Sequence, residues 1–93
     1  MVLTKIKILK ILNTDLIEWE FIDSKIVKFI ERQNGKELGG IVKKIWDFAE
    51  EVDHHPDILL TYSGIKITLF THDKSGITTK DIDFALALEG VIN

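Results

Sequence analysis

The stretch ILLTYSGIKITLF, residues 58–70, consists of two apolar, β-branched runs on either side of Ser63-Gly64. Apolar runs of this length, rich in Ile and Thr, are typical of β-strands. A connection of two residues that includes glycine is the usual link between adjacent antiparallel strands. The stretch therefore predicts a β-hairpin.

A second hairpin is predicted upstream, in IEWEFIDSKIVKFIE, residues 17–31. Apolar and polar residues alternate on both sides of Asp23-Ser24, which are good turn formers. Trp19 and Phe21 fall on the same side of the first strand, as residues of a shared core face must.

The segment between the two hairpins has the periodicity of an amphipathic helix. Over residues 36–52, apolar residues recur at intervals of three and four, and charged residues occupy the other side. The apolar stripe consists of Leu38, Ile41, Val42, Ile45, Phe48, Ala49 and Val52. Asn34-Gly35 is a turn signal just before the stripe. Pro56 cannot continue a helix, so the helix should end near residues 53–54.

Two further helical patterns lie near the ends of the chain. Residues 4–12, TKIKILKIL, allow either a short helix or a strand, and residues 13–15 break the pattern. Thr78 and Asp81 have the spacing of a capping box, which predicts a final helix over residues 78–91. Its inward face is expected to include Ile82, Ala85, Leu86, Leu88 and Ile92.

The predicted order of elements is α-β-β-α-β-β-α. Two hairpins with helices between and around them favour a four-stranded antiparallel sheet with three helices packed on one face, an α+β fold. A chain of 93 residues is expected to form a single domain, residues 1–93.

Composition excludes several classes of function. Twelve Lys and Arg against fifteen Asp and Glu give a net charge of −3, too acidic overall to predict direct nucleic-acid binding. The absence of cysteine excludes disulfides, thiol catalysis and thiolate–metal sites, and it fits a cytoplasmic location. No apolar run approaches the roughly 18 residues needed to span a membrane, and the N-terminus does not resemble a signal peptide.

The polar residues of interest surround the end of the long helix. Glu50 lies four residues before His54, so the two side chains are expected to face the same way, whereas His55 should point elsewhere. His72 follows the last strand, and Asp81 lies in the first turn of the last helix. If the second hairpin packs beside the long helix, all five residues converge at one end of the sheet.

Histidine transfers protons near neutral pH, so such a cluster could act as a general acid and base. A structural role remains open, because histidines at helix ends also bond to the last carbonyls and Asp81 has the position of a helix cap. A metal site is less favoured, since no two histidines have the i, i+4 spacing of helical metal ligands. The serines all lie in predicted turns, which argues against nucleophilic catalysis.

These residues resemble the signature of the pterin-4a-carbinolamine dehydratases, a family that includes the dimerization cofactor of a homeodomain transcription factor. The matching pattern is Glu50-x3-His54-His55-Pro56-x5-Tyr62-x9-His72-x8-Asp81. Trp19 followed by EFIDSKIVKF, and THDKSGITTKDIDFA near the end, are also similar to the family. The resemblance covers residues 3–92.

The resemblance implies an enzyme, a hydro-lyase that converts 4a-hydroxytetrahydropterin to quinonoid dihydropterin in the recycling of pterins. It implies a pterin substrate, no metal or other cofactor, and assembly as a homodimer or homotetramer. By position, His54, His55 and His72 become the catalytic or pterin-contacting residues. Glu50 and Asp81 become residues that orient imidazoles or bind substrate.

Two alternatives remain. The chain could be a non-enzymatic module that stabilises a partner's dimer through the apolar stripe of its last helix, as a transcriptional coactivator would. It could also be a pterin-binding accessory of another pterin or molybdopterin pathway. The chain departs from the family at Gly39, Gly40 and Phe70, where the last would change access to the pocket if its ring faces inward.

Overall fold

The computed structural model describes residues 1–32 and 34–92, and it has the predicted order of elements. The elements are α1 (Lys5–Asp15), β1 (Trp19–Ile22), β2 (Lys25–Glu31), α2 (Gly35–Val52), β3 (Asp57–Thr61), β4 (Gly64–Leu69), a short 3-10 helix (His72–Lys74) and α3 (Thr79–Ile92). The strands form one antiparallel sheet in the order β1-β2-β4-β3. The predicted α+β class is confirmed. None of the helices in the two described ranges is long and apolar enough to cross a membrane.

The first hairpin turns where the sequence predicts. Asp23 and Ser24 connect β1 and β2 with φ angles of 50° and 65°. Positive φ at both central residues gives the turn a twist that matches the strands. Trp19 is buried and Phe21 packs against the core, so the predicted inward side of β1 is confirmed.

The second hairpin turns one residue earlier than predicted. Tyr62 and Ser63 form the turn, and Gly64 is already part of β4. A Cβ at Gly64 would collide with the carbonyl oxygen of Ile30 in the neighbouring strand β2. The glycine is therefore needed for close strand pairing rather than for the turn.

All three helices cover one face of the sheet. The core draws on residues from every helix and from alternate positions of the two central strands: Ile8, Leu12, Ile41, Ile45, Ala49, Ala85 and Leu88 with Ile26, Ile30, Ile65, Ile67 and Leu69. At the intervening positions of these two strands Phe29 is 52% exposed and Lys66 is also exposed, although Val27 is buried. This alternation is what a sheet buried on a single face requires.

Helix α2 begins with a cap where the sequence indicated a turn. The side chain of Asn34 accepts hydrogen bonds from the backbone N–H groups of Lys36 and Glu37, at 3.0 and 3.2 Å. Asparagine is a preferred N-cap because it satisfies donors that have no partner inside the helix. The helix ends at Val52 with Asp53 as its C-cap, close to the end expected from Pro56.

The first helix is longer than predicted. It continues through residues 13–15, where the hydroxyl of Thr14 bonds back to the carbonyls of Lys10 and Ile11, an arrangement that a helix tolerates. Ile8 and Leu12, one turn apart, are buried in the core. The helical alternative for this segment is thus the correct one.

The last helix buries a different set of residues from the predicted set. Ile82, Ala85 and Leu88 are buried as expected, but Leu86 is 45% exposed and Phe84 is buried instead. The prediction for Leu86 was wrong because α3 packs mainly against α2, which turns Phe84 toward the ring of Phe48.

Candidate active site

His54 and Asp81 meet between the end of α2 and the start of α3. Nε2 of His54 lies 2.7 Å from Oδ1 of Asp81, whose side chain is completely buried. Such a contact fixes both the orientation of the imidazole and the nitrogen that carries its proton. A neutral His54 donates its Nε2–H to the carboxylate, and Nδ1 is left with its lone pair.

Asp81 is itself held in place from the other side. Its Oδ2 accepts hydrogen bonds from the hydroxyl of Thr71, at 2.7 Å, and from the backbone N–H of Thr78, at 2.9 Å. The bond to Thr78 is the carboxylate half of the predicted capping box. Asp81 is thus a helix cap and a histidine partner at once, and its position near the N-terminus of α3 favours a negative charge.

His55 pairs with Glu50, which was predicted to accompany His54. Nε2 of His55 forms a hydrogen bond with Oε2 of Glu50, and the imidazole is half-buried. The ring of Trp46 lies on the same side of α2, with its centroid 5.0 Å from that of His55. The expectation that Glu50 and His54 face the same way was therefore wrong.

The backbone at residues 53–56 explains this exchange of partners. Asp53 adopts a left-handed conformation, with φ 54° and ψ 43°, and its N–H bonds to the carbonyl of Ala49. Helical spacing ends at that residue, so His54 turns away from α2 toward α3. His55 precedes Pro56 and returns to the side of α2. The two neighbouring imidazoles consequently point to different helices.

His72 completes one wall of a shared cavity of about 360 Å³. The cavity is lined by Asp53, His54, His55, Phe70, Thr71, His72, Asp73 and Lys80. The rings of Phe70 and His72 meet edge to face at 5.2 Å, and Lys25 lies 5.4 Å from the centroid of Phe70. All three histidines therefore border a single space, and the ring of Phe70 does face it.

Two residues associated with the cluster have other positions. Glu50 is mostly exposed and reaches the cavity only through His55. Tyr62 is 92% exposed in the β3–β4 turn, at the opposite end of β3 from the histidines. A five-residue strand measures roughly 17 Å, so Tyr62 lies outside the cavity of its own subunit.

The structure adds residues that the sequence did not single out. Thr71 supports Asp81, and Trp46 contacts His55. Trp46 carried a usable signal, because it lies four residues before Glu50 on the same helix. Thr71 carried none, since its role depends on the return of β4 toward α3. Within residues 1–32 and 34–92, no three carboxylate or imidazole side chains come close enough together to hold a metal ion.

Comparison with known proteins agrees with this geometry. Residues 1–91 match the family model of pterin 4 alpha carbinolamine dehydratase. The chain belongs to this family. Its membership supports the dehydration of a pterin carbinolamine as the class of reaction.

Similar proteins come from distant organisms. One from Prochlorococcus marinus is 41% identical over 75 residues, which cover 81% of this chain and 79% of the relative. One from Sulfolobus acidocaldarius is 36% identical over 67 residues, which cover 72% and 74%. Both carry the provisional name pterin-4-alpha-carbinolamine dehydratase.

A solved structure from Brucella melitensis, described as a transcriptional coactivator/pterin dehydratase, has the same fold. It superposes with a TM-score of 0.89 over the full length of both chains, at 24% sequence identity.

Proposed function

We propose that this protein dehydrates 4a-hydroxytetrahydropterin to quinonoid dihydropterin by proton transfer through histidine. The observation that carries the proposal is the single cavity bordered by His54, His55 and His72, two of which have carboxylate partners. General acid–base catalysis requires such groups within reach of one substrate.

The reaction removes hydroxide from carbon 4a and a proton from the adjacent ring nitrogen. The hydroxyl leaves as water if it first receives a proton, and a base takes the proton from the nitrogen. The electron pair of that N–H bond forms the new carbon–nitrogen double bond. One acid and one base are thus sufficient, and the proton balance needs no further reactant.

We assign the acid to the adjacent pair, His54 and His55, and the base or ring-binding role to His72. The buried Asp81 orients His54, and Glu50 orients His55 at the margin of the cavity. Each imidazole uses Nε2 for its carboxylate, so the imidazolium form would give its proton to the leaving hydroxyl from Nδ1, and the neutral form that remains has its lone pair there.

A stopped-flow assay tests the proposal. The 4a-hydroxytetrahydropterin is generated in place by an aromatic amino-acid hydroxylase, and its decay is followed in the ultraviolet. The wild-type protein should accelerate the decay, and His54→Ala should lose roughly 10²-fold in rate. A wild-type rate equal to that of buffer would refute the proposed activity.

We also propose that the subunit assembles as a homodimer through the edge strand β3. Within the part of the chain that the structure describes, this strand has one hydrogen-bonded neighbour, β4, and it exposes Leu59 and Leu60, which are 57% and 50% accessible. A free edge with apolar side chains favours pairing with another strand. Light scattering should give the mass of a dimer for the wild type and of a monomer for Leu59→Lys.

Most of the apolar surface that the partner-binding alternative requires on the last helix is not exposed. Of the apolar stripe assigned to the last helix, Ile82 and Ala85 are buried against the subunit's own core, and Leu86 is the exposed member. The enzymatic proposal is therefore preferred. The cytoplasmic location expected from the sequence stays a prediction.

A further inference from the structure

We infer that Trp46 is a positioning residue for His55, an inference that rests on the function proposed above. Trp46 and Glu50 are one turn apart on α2, and both contact the same imidazole. Glu50 bonds to Nε2, while the Trp46 ring lies at a centroid distance of 5.0 Å with a tilt of 56°. The imidazole is thus held by a hydrogen bond and by a ring contact from one rigid helix.

The hydrogen bond alone would hold His55 poorly. Glu50 is 64% exposed, and its flexible side chain can exchange the imidazole for water. Ion pairs between exposed side chains contribute little, because solvent screens them and two side chains must be ordered. Trp46 supplies a large surface with few rotatable bonds, and tilted aromatic pairs at this separation attract each other.

Core packing does not account for Trp46. The side chain is 46% exposed and does not belong to the hydrophobic core. It lies at the border of the apolar stripe of α2, with Lys43 and Glu50 on one side and Val42 and Ala49 on the other. The contact with His55 therefore accounts for a partly exposed tryptophan at this position.

The inference is tested by replacing Trp46 and His55 separately and together. Trp46→Leu should lower kcat roughly two- to tenfold with KM little changed, which reflects the loss of one aromatic contact. Trp46→Phe keeps a ring and should restore kcat to within about twofold of the wild type. In a His55→Gln background, Trp46→Leu should have no further effect, because a residue that acts through His55 is silent without it.

An independent readout comes from the imidazole resonances in the NMR spectrum of the free protein. The chain has three histidines, so His55→Gln identifies the His55 signals by their disappearance. The ring current of Trp46 should displace those signals, and Trp46→Leu should remove the displacement while the His54 and His72 signals stay in place. This selective change would show that Trp46 contacts His55 in solution, and the kinetic comparison then shows whether the contact acts on the reaction.

Phe29→Leu is the matched control, since Phe29 is a similarly exposed aromatic residue on the opposite face of the sheet. It should leave kcat unchanged. The inference is overturned if Trp46→Leu matches the wild type, if its effect adds to that of His55→Gln, or if the His55 signals of the wild type are undisplaced. An inactive wild type would instead refute the proposed function, and the NMR comparison would still decide the contact.

Discussion

His54 and Asp81 are 27 residues apart in the sequence, yet Nε2 of one lies 2.7 Å from Oδ1 of the other. Both oxygens of Asp81 act as acceptors, one toward His54 and one toward Thr71 and Thr78. A carboxylate suits this place because it needs no proton of its own. Its replacement by an amide would put a donor on one of the two sides.

We expect Asp81→Asn to lower kcat roughly 10²-fold with a smaller effect on KM. The amide cannot accept from His54 and from the Thr71–Thr78 pair at the same time, so His54 loses its preferred tautomer. Stopped-flow dehydration measures the effect. Asp83→Asn, an exposed change two residues further along α3, is the control and should behave as the wild type. Full activity in Asp81→Asn would show that His54 needs no carboxylate.

Tyr62 belongs to the sequence signature of the family but does not line the cavity. Because it is exposed at the far end of β3, Tyr62→Ser should leave kcat and KM unchanged. Steady-state kinetics over a range of pterin concentrations checks this. A large loss of activity would mean that Tyr62 reaches the cavity of another subunit, and light scattering of the same variant would show whether assembly had changed.

Lys28, the buried lysine of β2, forms an ion pair with Glu89. Removing one partner of this pair is expected to lower the free energy of unfolding more than removing the other. The side chain of Lys28 is 6% exposed, and its Nζ lies 2.7 Å from Oε2 of Glu89 and 3.6 Å from Oε1 of Glu18. Glu89→Ala should reduce the free energy of unfolding by about 3 kcal/mol, since it removes the nearer partner of a buried charge. Lys28→Met should cost much less, because it removes the buried charge itself and leaves a carboxylate that water can reach.

Urea unfolding of the two variants measures this difference. The control is Lys43→Met, which removes one member of an exposed pair with Asp47 and should change stability by less than about 1 kcal/mol. Equal losses for Glu89→Ala and Lys28→Met would contradict the asymmetry.

Substitutions at Gly39 and Gly40 test whether this face of α2 is exposed to solvent or contacts another subunit. Apart from its chain neighbours and the adjacent backbone of α2, a Cβ at either position meets no atom of the subunit within 4 Å. Each Gly→Ala change should therefore raise the free energy of unfolding by about 1 kcal/mol, the difference in helix propensity. Urea unfolding checks it, with light scattering in parallel. A loss of stability together with a lower mass would place this helix face, rather than β3, in the contact between subunits.

The sequence predicted the parts of the fold that depend on local pattern. Asp23-Ser24 forms the first turn, Pro56 ends α2, and Thr78 with Asp81 opens α3 because each of these follows from backbone chemistry within a few residues. Asn34 was read as a turn residue although it is a cap, since both roles use the same side-chain acceptor.

The pairing within the site could not be read in the same way. Helical spacing extended from Glu50 to His54 assumes that the helix continues, and the left-handed Asp53 ends it one residue too soon. The support of Asp81 by Thr71 depends on how β4 returns to α3, which no local pattern records. Phe84 is buried where Leu86 was expected to be, because its ring packs against the ring of Phe48 in α2.

The left-handed Asp53 has a mechanical consequence. Since His55 is tethered to α2 and His54 to α3, the gap between the two imidazoles is set by how those helices sit against each other. The rings of Phe48 and Phe84, 5.0 Å apart, act as the spacer at that joint. A substitution of either ring would therefore change the distance between the two imidazoles, and Phe84 also contacts the ring of His54 directly, at a centroid distance of 5.9 Å.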